Sequence, residues 1–162
     1  MNERCFCILL FSALAALWDC CLGRIPNPLL GVFWLLGFFF EPSFSYFFRG
    51  IPLILFLYPM IGLHMMGAGD GKLFGVLGCY LGYPDIFFVF FLSCLFGVVG
   101  ATIRQGHKGF WKSRFSCFFQ YIYEMMMRKE VLPYPGGKSP QARLPMGLPI
   151  LGGVITVLFF VS

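Results

Sequence analysis

Charge is what this chain has least of. Only 12% of its 162 residues are charged, while 59% are hydrophobic and 22 are phenylalanine. A chain this short has too little interior to hide so much apolar surface from water. A small soluble domain is therefore excluded, and an integral membrane protein is left. Histidine is nearly missing as well. His64 precedes Asp70 by about two helical turns and His107 lies in a polar loop, but one imidazole near a carboxylate is not a metal-ligand set. The seven cysteines (Cys5, Cys7, Cys20, Cys21, Cys79, Cys94 and Cys117) form no C-x-x-C pair, and their number is odd. That argues against a disulfide framework and against zinc, and they read as small buried hydrophobes. Ser93 and Ser116 have no base at a telling spacing, so a serine nucleophile is unsupported. No stretch reads as a nucleotide loop. No cofactor or metal is expected, and the basic loop is explained by topology and anionic lipid before nucleic acid. There is no internal repeat and no low-complexity tract.

What the chain does have is six apolar runs, at 5–18, 29–40, 51–66, 73–83, 86–103 and 146–161. A spanning helix needs ~20 apolar residues, or somewhat fewer with interfacial ends. The second run is expected to continue toward Phe48. The first and fourth are short, which puts Asp19 and Asp70 at or just inside the membrane boundary. The expected fold is all-α: one membrane domain over 1–162 with about six transmembrane helices. Ala13-Leu14-Ala15 has the small-residue spacing of a signal-peptide cleavage site. The apolar run continues past it to Trp18, and 1–4 carry no net side-chain charge, so a retained first helix is expected.

Six spans put both termini on one side. With the Asp19 and Asp70 loops in the cytoplasm, the inside holds Arg24, Lys72, Arg104, Lys108, Lys112, Arg114, Arg128, Lys129, Lys138 and Arg143. Only Arg4 and Arg49 remain outside, a division the positive-inside rule strongly favours. The largest polar stretch is the cytoplasmic basic loop at 104–145. Within it Trp111, Phe115, Phe118, Phe119, Ile122 and Met126 recur on one helical face, which predicts an amphipathic helix on the inner leaflet. Residues 133–140 then read as a turn-rich linker.

The chemistry gathers at two acids. Asp19 ends the first run, before Ile25-Pro26-Asn27. Asp70 sits inside Gly67-Ala68-Gly69-Asp70-Gly71-Lys72. A carboxylate near hydrocarbon is costly, and is a functional-site hypothesis by default. The glycines predict a helix, a break and a helix, with Asp70 at the break and with positive φ or close backbone approach at Gly67, Gly69 and Gly71. If the acids meet, they should share one proton, because two adjacent like charges cannot both ionise cheaply. Asp19 lies at a helix C-terminus and Asp70 near an N-terminus, so the dipoles point to Asp70 as ionised base and Asp19 as protonated acid. Such a pair can activate water and protonate a leaving amine, which is peptide hydrolysis. Lys72 is a candidate to hold Asp70 ionised; a lysine snorkelling to the interface is the plainer alternative.

At these residues the chain resembles the prepilin peptidases of the type IV leader peptidase family, in the GxGD group of intramembrane aspartyl proteases. The matching pieces are 18–27, with its D-x5-IPN, and 66–73, with its GAGD-x-KL, followed by Gly78 and Gly82. Near the end, 143–152 resembles the start of the family's last helix. The resemblance implies that Asp19 and Asp70 are the catalytic pair, supported by Gly67, Gly69, Lys72, Pro26 and Asn27. It implies cleavage of short basic leaders from prepilins or pseudopilins at the cytoplasmic face of the bacterial inner membrane, usually after a glycine. The small size resembles the peptidases of tight-adherence (Flp-type) pili. Larger members carry an N-terminal domain with two C-x-x-C pairs and methylate the new N-terminus, which is not expected here. Gly71 departs from the β-branched residue often found there. Alternatives are another GxGD protease, whose usual Tyr-Asp motif Trp18-Asp19 only partly resembles, a non-catalytic pilus or secretion assembly protein, and a small transporter with carboxylate proton relays.

Overall fold

The computed structural model describes residues 3–63, 66–105, 110–128 and 145–160. These residues form eight helices, with no strand among them. They are α1 (Glu3–Leu22), α2 (Asn27–Phe40), α3 (Phe44–Phe48), α4 (Ile51–Gly62), α5 (Ala68–Leu81), α6 (Asp85–Gln105), α7 (Phe110–Arg128) and α8 (Gly147–Phe160). Three stretches are long and apolar enough to cross a bilayer: Glu3–Leu22, Phe44–Gly62 and Asp85–Arg104. α2 and α8 are shorter apolar helices of 14 residues each. At 1.5 Å per residue each covers only about 21 Å, so flanking residues must complete any crossing. Each of the six expected runs thus contains a helix among the described residues, and the chain is an all-α integral membrane protein.

One expected boundary is wrong. α2 does not continue toward Phe48 but stops at Phe40. Glu41-Pro42-Ser43 breaks it, because a proline restrains the residue before it to extended backbone. Glu41 accordingly sits at φ −143° and ψ 84°. The following turn, α3, leads into α4 instead.

α5 is the hub. It packs against α1, α2, α3, α4 and α6, and from Gly71 to Tyr80 only Lys72 is exposed. Lipid tails are as apolar as leucine, so in a bilayer close packing rather than water exclusion drives helix association. The contact of α5 with the N-terminus of α4 follows that rule. A Cβ on Gly78 would lie 2.8 Å from the Gly50 Cα, so these two backbones touch with no room for a side chain. Ring pairs tie neighbours together: Phe11 of α1 stacks on Phe33 of α2 at 4.7 Å, and Phe74 of α5 meets Phe90 of α6 edge-on at 5.4 Å. Such pairs contribute ~0.5–1.5 kcal/mol each beyond burial. α8 packs on α1 and α6.

The predicted amphipathic helix is present as α7. Phe115, Phe119 and Met126 of its apolar stripe are exposed, Phe118 and Ile122 are half-buried, and Tyr121, off the stripe, is buried. His64, His107, Lys108, Lys129, Lys138, Arg143 and the 133–140 linker lie outside the described residues.

Candidate active site

Asp19 is placed by the way α1 ends. Gly23 adopts φ +62°, a conformation that costs glycine nothing, and its N–H donates to the Asp19 carbonyl at 2.9 Å. The helix is closed four residues beyond the acid. Pro26 then takes φ −69° at the N-cap of α2, and its carbonyl accepts the Leu29 N–H at 3.2 Å. Asn27 and Pro28 open the new helix; proline is tolerated there because the N–H it lacks has no helical partner. The Ile25-Pro26-Asn27 signature is therefore a reversal that returns the chain beside the end carrying Asp19.

Asp70 is placed by the way α5 begins. Gly67 is the N-cap, with extended backbone at φ −66° and ψ 136°. Its carbonyl accepts the N–H groups of Asp70 at 3.1 Å and Gly71 at 3.3 Å. Asp70 stands at the third helical position, and its carboxyl folds back toward the Gly67 backbone N–H. An acid there reaches back to the cap amide, which is the acidic half of a capping box. The G-x-G-D spacing thus has a local reason: it begins a helix and folds the acid over its own start. Asp70 lies in the first helical turn rather than in the break itself.

The expected role of the three glycines needs correcting. None of Gly67, Gly69 and Gly71 has positive φ; among the described residues only Gly23 and Gly82 do. A Cβ on Gly69 would meet nothing within 4 Å, so no close backbone approach requires that glycine. A Cβ on Gly67 would lie 2.9 Å from Asp70 Oδ2, and one on Gly71 would lie 2.5 Å from the Ile61 Cδ1. Gly67 leaves room for the carboxylate, Gly71 makes room for α4, and Gly69 faces open space.

Lys72 is not on Asp70. Its Nζ donates to Asn27 Oδ1 at 3.1 Å, which bridges the start of α2 to the first turn of α5. The two sequence signatures are joined by this contact, and its exposed lysine agrees with the snorkelling alternative. Among the described residues neither aspartate has a Lys or Arg ion-pair partner.

The structure brings Asp19 and Asp70 to the same end of the bundle, both half-buried, and close enough for the Asp19 charge to act directly on Asp70. It also adds a residue to which the sequence assigned no role. The backbone N–H of Gly147, first residue of α8, donates to Asp19 Oδ2 at 2.8 Å. The N-terminus of α8 therefore opposes the effect of the α1 C-terminus on Asp19, and each acid lies at a helix start. The dipole argument for Asp19 as the protonated partner falls with this contact. The prolines flanking Met146-Gly147-Leu148 mark a helix start in the sequence; no sequence signal says what that start touches.

A model of the type IV leader peptidase family matches residues 6–102, more than half of the chain and both aspartates. The chain belongs to the type IV leader peptidase family. It is therefore a membrane-embedded leader peptidase, a hydrolase acting on substrates of the prepilin type. The match spans α1 to α5 and most of α6; α7 and α8 lie beyond it. No curated protein and no solved structure matches the chain.

Proposed function

We propose that the chain, as one peptidase domain over 1–162, is an aspartic-type endopeptidase that removes short basic leaders from prepilins or pseudopilins at the cytoplasmic face of the bacterial inner membrane. Asp19 and Asp70 are its catalytic pair. One observation carries this reading: two carboxyls from separate helices, α1 and α5, lie half-buried at the same end of the bundle, the Asp19 charge acts on Asp70, and among the described residues neither acid has a Lys or Arg ion pair. In the proposed mechanism one acid is ionised and the other protonated, because two adjacent carboxyls cannot both ionise cheaply. The ionised carboxylate takes a proton from water as its oxygen attacks the scissile carbonyl. The protonated carboxyl gives its proton to the departing amine, so a carboxylic acid and an amine leave and one proton has passed from one aspartate to the other. Gly67, Lys72, Pro26 and Asn27 hold the acids in register, and the open side at Gly69 gives a peptide backbone room to approach.

The test is leader removal from a co-expressed prepilin, followed by gel shift. Asp19→Asn and Asp70→Asn each lower the rate by ~10³-fold or more, because an amide cannot move the proton, while membrane abundance stays unchanged. Full processing by either variant overturns the aspartyl mechanism. Orientation is tested separately. Reporter fusions after Phe44, Gly109 and Ser162 are expected to read outside, inside and outside, from the division of basic residues. An outside signal at Gly109 would place the acids on the wrong face for a cytoplasmic leader.

A further inference from the structure

We propose that Gly147 is a positioning residue of the aspartyl pair, and that α8, which lies beyond the family match, completes the active site through its first backbone amide. The inference rests on the reading of Asp19 and Asp70 as the reacting acids.

Three observations meet at this residue. Its N–H donates to Asp19 Oδ2 at 2.8 Å, across 128 residues of sequence. A Cβ on Gly147 would lie 2.7 Å from the Ala16 Cα, 3.1 Å from the Asp19 Cβ and 3.3 Å from Asp19 Oδ2. The closest of these atoms is α1 backbone, which cannot rotate aside as a flexible side chain can. Finally, Met146 caps α8, its carbonyl accepting the Ile150 N–H at 3.1 Å. The Gly147 N–H is thus one of the first-turn donors with no partner inside its own helix. Any side chain at this position separates α8 from α1 and draws the donor off the carboxylate. Glycine is required here by proximity rather than by backbone angle.

The consequence concerns which Asp19 oxygen is available. With Oδ2 held by an amide, the carboxyl is fixed in rotation and Oδ1 is left to face water or substrate. A carboxyl held by a single terminal torsion otherwise swings over a broad range. Catalysis is sensitive to that orientation, since a misplacement of about 1 Å can cost ~10²-fold. Asp70 likewise lies against a helix start, with its carboxyl turned toward the Gly67 amide. Each acid is oriented by the backbone of a helix start: α5 for Asp70, α8 for Asp19.

The test uses the full chain made by cell-free synthesis into lipid nanodiscs, with a prepilin bearing a short basic leader as substrate. Gly147→Ala adds a methyl group. A second variant replaces only the Gly147 N–H by an ester oxygen, through incorporation of glycolic acid, and adds no atom that could clash. Both are expected to lower kcat by ~10- to 100-fold with KM changed less than ~3-fold, because the amide orients an acid and binds no part of the leader. The same ester exchange at Leu148 is the control for backbone damage and leaves kcat within ~3-fold of wild type. Wild-type kcat in the Gly147 ester, or an equal loss at Leu148, overturns the proposal even if Gly147→Ala fails to fold. Asp19→Asn is run alongside. If it processes normally, the aspartyl reading fails and takes this proposal with it; if it is inactive while the Gly147 ester is fully active, only the positioning role fails.

Discussion

The two ends of the bundle treat their carboxylates differently. At one end Glu41 lies between two guanidinium groups: Arg4 stands 3.0 Å from its Oε2, and Arg49 donates to the same oxygen at 2.7 Å and also to Oε1. Arg4 donates in addition to the Tyr80 carbonyl. Nearby hydroxyls are used as well, Tyr80 donating to the Phe33 carbonyl and Tyr46 to that of Trp34 at 3.1 Å. At the other end Asp19 accepts the Gly147 amide, Asp70 is turned toward the Gly67 amide, and neither has a cation among the described residues. Arg4 and Asp19 belong to the same helix, 15 residues apart, or about 22 Å along its axis. A carboxylate satisfied from both sides is a fastener. A carboxylate with acceptor capacity left over, facing another like it, can still exchange protons. The arginines expected to stand outside are thus both bound to one acid, which ties the start of α1, the end of α2, the turn before α4 and the end of α5.

Replacing an acid by its amide should separate the two ends most sharply. Asp19→Asn or Asp70→Asn removes activity and leaves abundance intact. Glu41→Gln should do the reverse, with processing within ~2-fold of wild type and a loss of ~1–3 kcal/mol of stability, the range for hydrogen bonds to charged groups. Thermal aggregation of the purified protein in detergent measures it. A Glu41→Gln protein that is as stable as wild type but inactive would erase the distinction.

A finer comparison lies within the acid end. Gly67→Val puts a Cβ against Asp70 Oδ2, 2.9 Å away before relaxation, and should lower kcat by ~10- to 100-fold. At Gly69 a Cβ meets nothing within 4 Å, so Gly69→Val should act mainly on KM, by occupying the side from which a peptide approaches. Steady-state kinetics on both variants checks this. A kcat defect at Gly69 equal to that at Gly67 would show that the open side is not a substrate path.

The smallest expected effect is a pH response of the fastener. The hydrogen bond from Arg49, with the charges of Arg4 and Arg49, holds the Glu41 carboxyl below the ordinary glutamate range. A carboxyl depressed by folding stabilises the fold above its unfolded pKa, and this contribution is lost as pH falls through the lower folded value. Stability should therefore be level near neutrality and fall on acidification below the usual carboxylate range. Glu41→Gln should flatten that part of the fall. An identical acid profile in wild type and variant would show that the Arg4–Glu41–Arg49 cluster contributes nothing measurable.

Much of this was legible in the chain. Scarce charge and six apolar runs determined an all-helical membrane protein, because hydrocarbon leaves a buried backbone few choices beyond the helix. The D-x5-IPN and GAGD-x-KL segments marked both acids, since a carboxylate amid apolar sequence stands out. The local turns around them follow from glycine and proline at single positions, Gly23, Pro26 and Gly67. The end of α2 is likewise a local signal: Glu41-Pro42 breaks the helix within an aromatic run that otherwise reads as continuous.

Only the tertiary structure decided which groups meet. That Lys72 serves Asn27 instead of Asp70, that Glu41 gathers Arg4 and Arg49, and that Gly69 faces open space depend on how helices are placed around α5. The contact of Gly147 with Asp19 is the clearest case. Helix periodicity relates residues three or four apart, whereas these two are separated by 128 positions and joined through a backbone N–H that every residue except proline possesses. A donor common to nearly all residues carries no signature in the sequence. It becomes specific only when the packing of α8 against α1 places it 2.8 Å from one carboxylate oxygen.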